Sequence, residues 1–469
     1  MLKREKGRNI TSGNLFHGIL QYAFPLFLSA LIQTLFTAAD TAVVGNFADS
    51  VAVASIGAGN PVISLLTSAF MAFASGASII ISREIGAQDR DAVKKSVDTA
   101  MIFSVALGVA ITGFAFPLAV PVLGLMDCPT ECVESAVLYM RLYLLGIPAM
   151  MIYNFAAAII RAEGDSTRPL IYIIISGTVN VVTNVLLCMV LPNKVAAVAI
   201  ATVLSQVVSA IMSVTRLVRK TDGICKLSLR DMHFHGRSLG EIVRYGIPLG
   251  VATLVYPLAN MQIQPAINSF GAKNLAGATA ACNLDGLGNC LQSAFATTCV
   301  TFVSQNVGAK NRKRVEKSIL ICTSCACASG LVLGLLTGLV FPEELLGIFL
   351  PGDTESIFYG CKRMEYVNRH MWISAFNGCI GGALQAFGYP TFSTINGLVS
   401  VLGFRIVWMN IFYPRNPTVD MLYVCYTISW CISLVVNMSL FVVVFKRFRR
   451  REKLREQREA EKAALDQST

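Results

Sequence analysis

Five side chains in the first half of the chain have the chemistry to bind a small cation: Asp40, Tyr139, Asn180, Asn184 and Thr202. One carboxylate, two amides and two hydroxyls offer hard oxygen ligands for sodium, or one acid for a proton. All lie in apolar surroundings, where ionisable groups are expensive and are kept for a partner or a task. The second half offers Asp285 and Arg405 as charged groups, with Gln262 and Asn377 as neutral polar ones. Asp285 and Arg405 read either as a structural ion pair or as contacts to a transported molecule. Pro25 is a candidate hinge, because proline removes one backbone hydrogen bond from a helix.

The elements that position these residues follow from composition. Apolar residues make up 54% of the chain and charged residues only 14%, against roughly 25% charged in soluble domains. Runs long enough to span a bilayer, about 20 residues each, recur twelve times. Lys and Arg concentrate in alternate connections, which places both termini in the cytoplasm. The stretch 85–97, Ile-Gly-Ala-Gln-Asp-Arg onward, returns as 307–319, Val-Gly-Ala-Lys-Asn-Arg onward, and Tyr22 to Leu26 returns as Tyr245 to Leu249. The expected fold is therefore an all-α membrane protein of twelve transmembrane helices in two parallel six-helix repeats. The segments are a cytoplasmic N-terminus (1–14), an N-lobe (15–218), a linker (219–241), a C-lobe (242–445) and a basic tail (446–469).

A helical rise of about 1.5 Å per residue allows depths to be compared. Asp40 falls near the outer end of helix 1, Asn184 about two thirds of the way out on helix 5, and Asn180 one turn below it on the same face. Tyr139 and Thr202 lie near the outer ends of helices 4 and 6, so the five converge on the outer half of the first bundle. Simpler roles stand beside this one: a local cap for Asp40, interhelical hydrogen bonding for the two asparagines, and plain kinks for Pro25 and Pro248.

Enzyme signatures do not appear: there is no His-Glu-x-x-His, no Gly-x-x-x-x-Gly-Lys and no Gly-x-Ser-x-Gly. The net charge of +11 is that of the cytoplasmic connections and the tail, and calls for anionic lipid rather than nucleic acid. Helix 1 reads as an uncleaved anchor. Cys322, Cys325 and Cys327 read as small apolar residues between helices, His233 and His235 as part of a solvated linker, and Cys128 with Cys132 as a local disulfide pair in an outer loop.

The chain resembles the multidrug and toxic compound extrusion (MATE) transporters. The resemblance rests on the duplication, on Pro25, Asp40 and Gly45, on the Gly86-Ala87 and Gly308-Ala309 loops, and on Arg161-Ala162-Glu163-Gly164-Asp165. It implies ion-coupled export of cationic, aromatic compounds by alternating access, from a monomer in the cell membrane with no cofactor. It also implies a cation site at Asp40, Asn180 and Asn184, where the family has an acid at the position of Asn184. That departure leaves Asp40 alone, which suits a proton better than sodium. Phe70, Met71, Phe73, Tyr153, Phe155, Tyr256, Met261 and Phe295 are candidates to line the path. The alternative is a flippase for a lipid-linked sugar or other polyprenyl-phosphate substrate.

Overall fold

The computed structural model describes residues 10–47, 50–125, 130–219 and 224–468, and every regular element among them is helical. The first repeat contains α1 (Leu15–Phe47), α2 (Ser50–Gly86), α3 (Arg90–Leu125), α4 (Thr130–Ala162), α5 (Thr167–Val190) and α6 (Lys194–Arg219). The second begins with α7 (Gly236–Ser269), α8 (Ala272–Gly308) and α9 (Arg312–Leu335), followed by the short α10 (Pro342–Phe349). Next come α11 (Thr354–Val367) and α12 (Met371–Ala386), then α13 (Pro390–Gly397), α14 (Phe404–Val407) and α15 (Val419–Ser468). Wide π-helical turns, Leu398–Gly403 and Trp408–Phe412, flank α14 on both sides. The expected disulfide involves Cys128, which lies outside the described residues.

Among the described residues, ten helical stretches are long and apolar enough to cross a membrane. The remaining two of the twelve spans are α8 and the α11–α12 pair. α8 buries Asn274, Asp285, Gln292, Thr298, Ser304 and Asn306, so its polarity belongs to the bundle interior and not to a lipid-facing surface. The α11–α12 pair is interrupted between Val367 and Met371. At this break, Gly338 leaves room for the backbone: a Cβ there would lie 3.0 Å from Arg369 N.

The chain packs as two compact units, Phe24–Leu254 and Ile10–Ala23 with Val255–Thr469. Both limits fall inside helices. α1 changes unit just before Pro25, and α7 changes unit between Leu254 and Val255, so the packing units differ from loop-bounded lobes by the opening stretches of these helices. In the first unit α4 is the central element, with Leu144, Ile147, Met151 and Phe155 almost wholly buried. Close approach at Gly108, where a Cβ would sit 2.6 Å from Pro148 Cα, lets α3 lie against it, as small residues do between membrane helices. In the second unit Ile263, Trp408, Leu422 and Tyr423 form the corresponding cluster.

The duplication is visible in the backbone. After α2, Ala87 N donates to Arg83 O, Gln88 N to Ile85 O and Asp89 N to Glu84 O; after α8, Ala309 N donates to Gln305 O, Lys310 N to Val307 O and Asn311 N to Asn306 O. The last residue of each series also caps the following helix: Asp89 Oδ1 accepts Ala92 N and Asn311 Oδ1 accepts Arg314 N.

Candidate functional site

The first candidate site is built on α1 and α5. Asn180 and Asn184 are one turn apart, so their amides project from one face of α5. Both are buried, at 5% and 0% exposure. That face reaches α1 because Gly177 lies one turn earlier: a Cβ at Gly177 would collide with the ring of Phe36, itself one turn before Asp40. Asn184 Nδ2 donates to Asp40 Oδ1 at 3.2 Å, while Asn184 Oδ1 accepts the Cys188 thiol at 3.6 Å. The amide of Asn180 lies 2.6 Å from Asp40 Oδ1 and 3.2 Å from Oδ2; with its nitrogen inward it donates to both oxygens. With its oxygen inward, the same amide would accept a proton carried by Asp40. Among the described residues no Lys or Arg forms an ion pair with Asp40.

The other two expected ligands are turned elsewhere. Tyr139 donates its hydroxyl to Asn60 Oδ1 on α2 at 3.4 Å, and Asn60 is a residue that sequence reasoning passed over. Thr202 Oγ1 donates to Val198 O of its own helix at 3.0 Å, the back-bond open to any helical threonine. Pro25 lies within a continuous α1, and its carbonyl accepts the Ser29 hydroxyl at 2.7 Å.

The second unit corrects the expected pairing of Asp285 with Arg405. Asp285 Oδ2 instead meets Arg363 Nη2 at 2.7 Å. A reading that begins the tenth span near its apolar centre leaves Arg363 in a loop, but α11 starts at Thr354 and carries it inside, at 4% exposure. A counter-ion on a neighbouring helix makes such a cation tolerable without an apolar run. Arg405, 1% exposed, donates through Nη1 to Asn260 Oδ1 at 2.9 Å and through Nε to Ser429 Oγ at 3.4 Å. Its guanidinium lies 4.1 Å from the Tyr426 ring centroid. Asn377 belongs to a separate buried network, donating to Trp430 O and accepting from Asn437 at 2.7 Å. Gln262 is exposed on α7.

The proposed aromatic lining divides by burial. Phe70, Phe73 and Phe155 are joined through Phe103, which the sequence did not single out, into a continuous ring series in the first unit, with centroids 6.3, 5.8 and 6.0 Å apart. Tyr153 and Phe295 are buried, whereas Tyr256 and Met261 are exposed.

The family model described as MatE matches residues 25–186 and again residues 248–409. The chain is 22% identical over 383 residues to "Probable multidrug resistance protein YpnP" of Bacillus subtilis, covering 82% of this chain and 85% of that one. It is 23% identical over 441 residues to "Probable multidrug resistance protein YoeA" of the same organism, covering 91% and 93%. A crystal structure of MATE in the straight conformation matches with a TM-score of 0.87 and 22% identity, over 96% of this chain and 100% of that one. With one copy of the family pattern in each repeat, the chain belongs to the MatE family of membrane-embedded multidrug efflux transporters.

Proposed function

We propose that the protein is a secondary active antiporter of the cell membrane, acting as a monomer with both termini cytoplasmic, that exports amphipathic aromatic compounds in exchange for protons. The observation that carries this reading is the Asp40 carboxylate held between two amides and, among the described residues, without an ion-pair partner. A half-buried carboxylate without a paired cation is costly in its charged form, and taking up a proton removes the cost. The Asn180 amide suits both states, donating to the carboxylate or accepting from the acid. Sodium has less to hold: one carboxylate, with the Asn184 oxygen engaged by Cys188.

Coupling follows if the proton and the exported compound favour different arrangements of the first unit, since a ligand shifts an equilibrium only through differential affinity. Pro25, at the point where α1 passes from one unit to the other, is the natural place for that rearrangement. Cationic substrates draw support from Asp40 but not from Asp285, whose charge is already met by Arg363. The flippase reading has Arg405 in its favour, yet one uncompensated buried cation among the described residues of the second unit matches a pyrophosphate poorly.

The test is efflux from proteoliposomes under separately imposed proton and sodium gradients. Proton-driven export of aromatic dyes is expected. Export driven by sodium alone would overturn the proton assignment, and movement of a polyprenyl-pyrophosphate sugar without dye export would replace efflux by flipping.

A further inference from the structure

Among the described residues of the second unit, the buried charged side chains are Asp285, Arg363 and Arg405. Two cations and one acid leave one positive charge uncompensated, and the pairing identifies it as Arg405. Arg363 takes the carboxylate, whereas Arg405 is met by an amide oxygen, a hydroxyl and the face of Tyr426. A guanidinium presents five donors in a planar fork suited to a carboxylate, and neutral acceptors satisfy that fork at lower strength than a charged one.

Three further observations suggest that the arrangement is meant for a ligand. Asn260, the strongest partner of Arg405, is exposed on α7, so the guanidinium is one side chain away from the surface of the unit. The π-helical turns on either side of α14 hold Arg405 in a locally widened helix, a form that recurs at functional positions. The indole Nε1 of Trp430, whose ring meets Tyr426 edge-on at 6.5 Å, and Nη1 of Arg363 are buried donors without an acceptor.

We propose that the second unit binds the anionic group of an organic substrate, a carboxylate that displaces the Asn260 amide oxygen from Arg405 and packs its aromatic part against Tyr426. This deepens the efflux reading, and rests on it, by naming the substrate class as aromatic acids and zwitterions.

The test uses the purified full-length protein in nanodiscs and two dyes of one scaffold and opposite charge, fluorescein and rhodamine 123, with binding followed by fluorescence anisotropy. Fluorescein is expected to bind more tightly, to be competed by benzoate, and to lose about tenfold or more in affinity in Arg405→Gln and Asn260→Asp. Rhodamine 123 binding should not weaken in either variant. Asn260→Asp supplies the missing carboxylate from within, so it decides the question even if Arg405→Gln does not fold. Tighter binding of rhodamine 123 by the unmodified protein, or an unchanged ratio of the two affinities in Asn260→Asp, would overturn the proposal. Selective fluorescein binding without any efflux from proteoliposomes would retain the site and remove the transport reading, whereas proton-driven efflux without that selectivity would do the reverse.

Discussion

Gln88 and Lys310 occupy equivalent places in the two repeats, and both adopt the left-handed backbone conformation, with φ of 58° and 59°. This is the position after a helix end where glycine is ordinarily found. Lys310→Gly is expected to stabilise the protein by up to about 1 kcal/mol. Gln88→Gly should gain less, because Gln88 Nε2 also donates to Ile85 O at 2.9 Å. Thermal unfolding of both variants in detergent checks the order.

Removing the proposed proton carrier separates binding from coupling. Asp40→Asn keeps the size of the side chain and its contacts with Asn180 and Asn184, so expression and fold should be unchanged. Proton-driven efflux should fall to background in proteoliposomes. Retained efflux would take Asp40 out of the mechanism.

Restoring an acid on α5 should change the ion. Asn184→Asp places a second carboxylate 3.2 Å from Asp40 Oδ1 at the present geometry, a pair suited to sharing a cation. Sodium is expected to stimulate transport by this variant, read as the efflux rate with and without a sodium gradient at constant pH. Unchanged ion dependence would reduce Asn184 to an interhelical tie.

The spacing of α1 and α5 is set one turn below the carboxylate. Gly177→Ala inserts a methyl group into the Phe36 ring, and overpacking of this kind costs about 1–3 kcal/mol. The larger effect should fall on coupling, because the same two helices carry Asp40 and Asn184. A lower melting temperature together with a slower proton-driven rate is expected; Gly177→Ala with wild-type kinetics would show that the amides tolerate the displacement.

Breaking the ion pair in the second unit should be costly. Asp285→Asn leaves Arg363 buried beside a neutral amide, and loss of one partner of a buried pair destabilises by about 3–5 kcal/mol. Asp285→Leu combined with Arg363→Met removes both charges and should recover most of that loss. Thermal unfolding of the three proteins distinguishes this from an Asp285 whose only role is substrate contact.

The sequence made the scaffold legible wherever the signal is local. Apolar runs give the spans, and the recurrence of Gly86-Ala87 as Gly308-Ala309 marks turns that share their hydrogen bonds. The cluster of Asp40 with Asn180 and Asn184 was readable from depth and helical period, since two residues four apart lie on one face. What depth does not contain is rotation about the helix axis and choice of rotamer. Tyr139 therefore goes to Asn60 and Thr202 to its own backbone. Arg363 was hidden for a different reason: its counter-ion is distant in sequence, and hydropathy scores a paired cation as though it stood alone. The turn before it supplies the one local clue, Asp353, which caps α11 by accepting from Ser356 N and so announces a helix that begins well before the apolar stretch.

The passage of α1 and α7 from one unit to the other has a consequence for biosynthesis. Chains emerge from the N-terminus and domains generally form as they emerge. The unit completed last needs residues 10–23, the first described part of the chain to appear, while the other waits for the opening of α7. Neither half is thus a self-sufficient product of its own stretch of message. Two fragments separated in the 219–241 connection would each lack a helix segment that the other holds, and should assemble only when translated together.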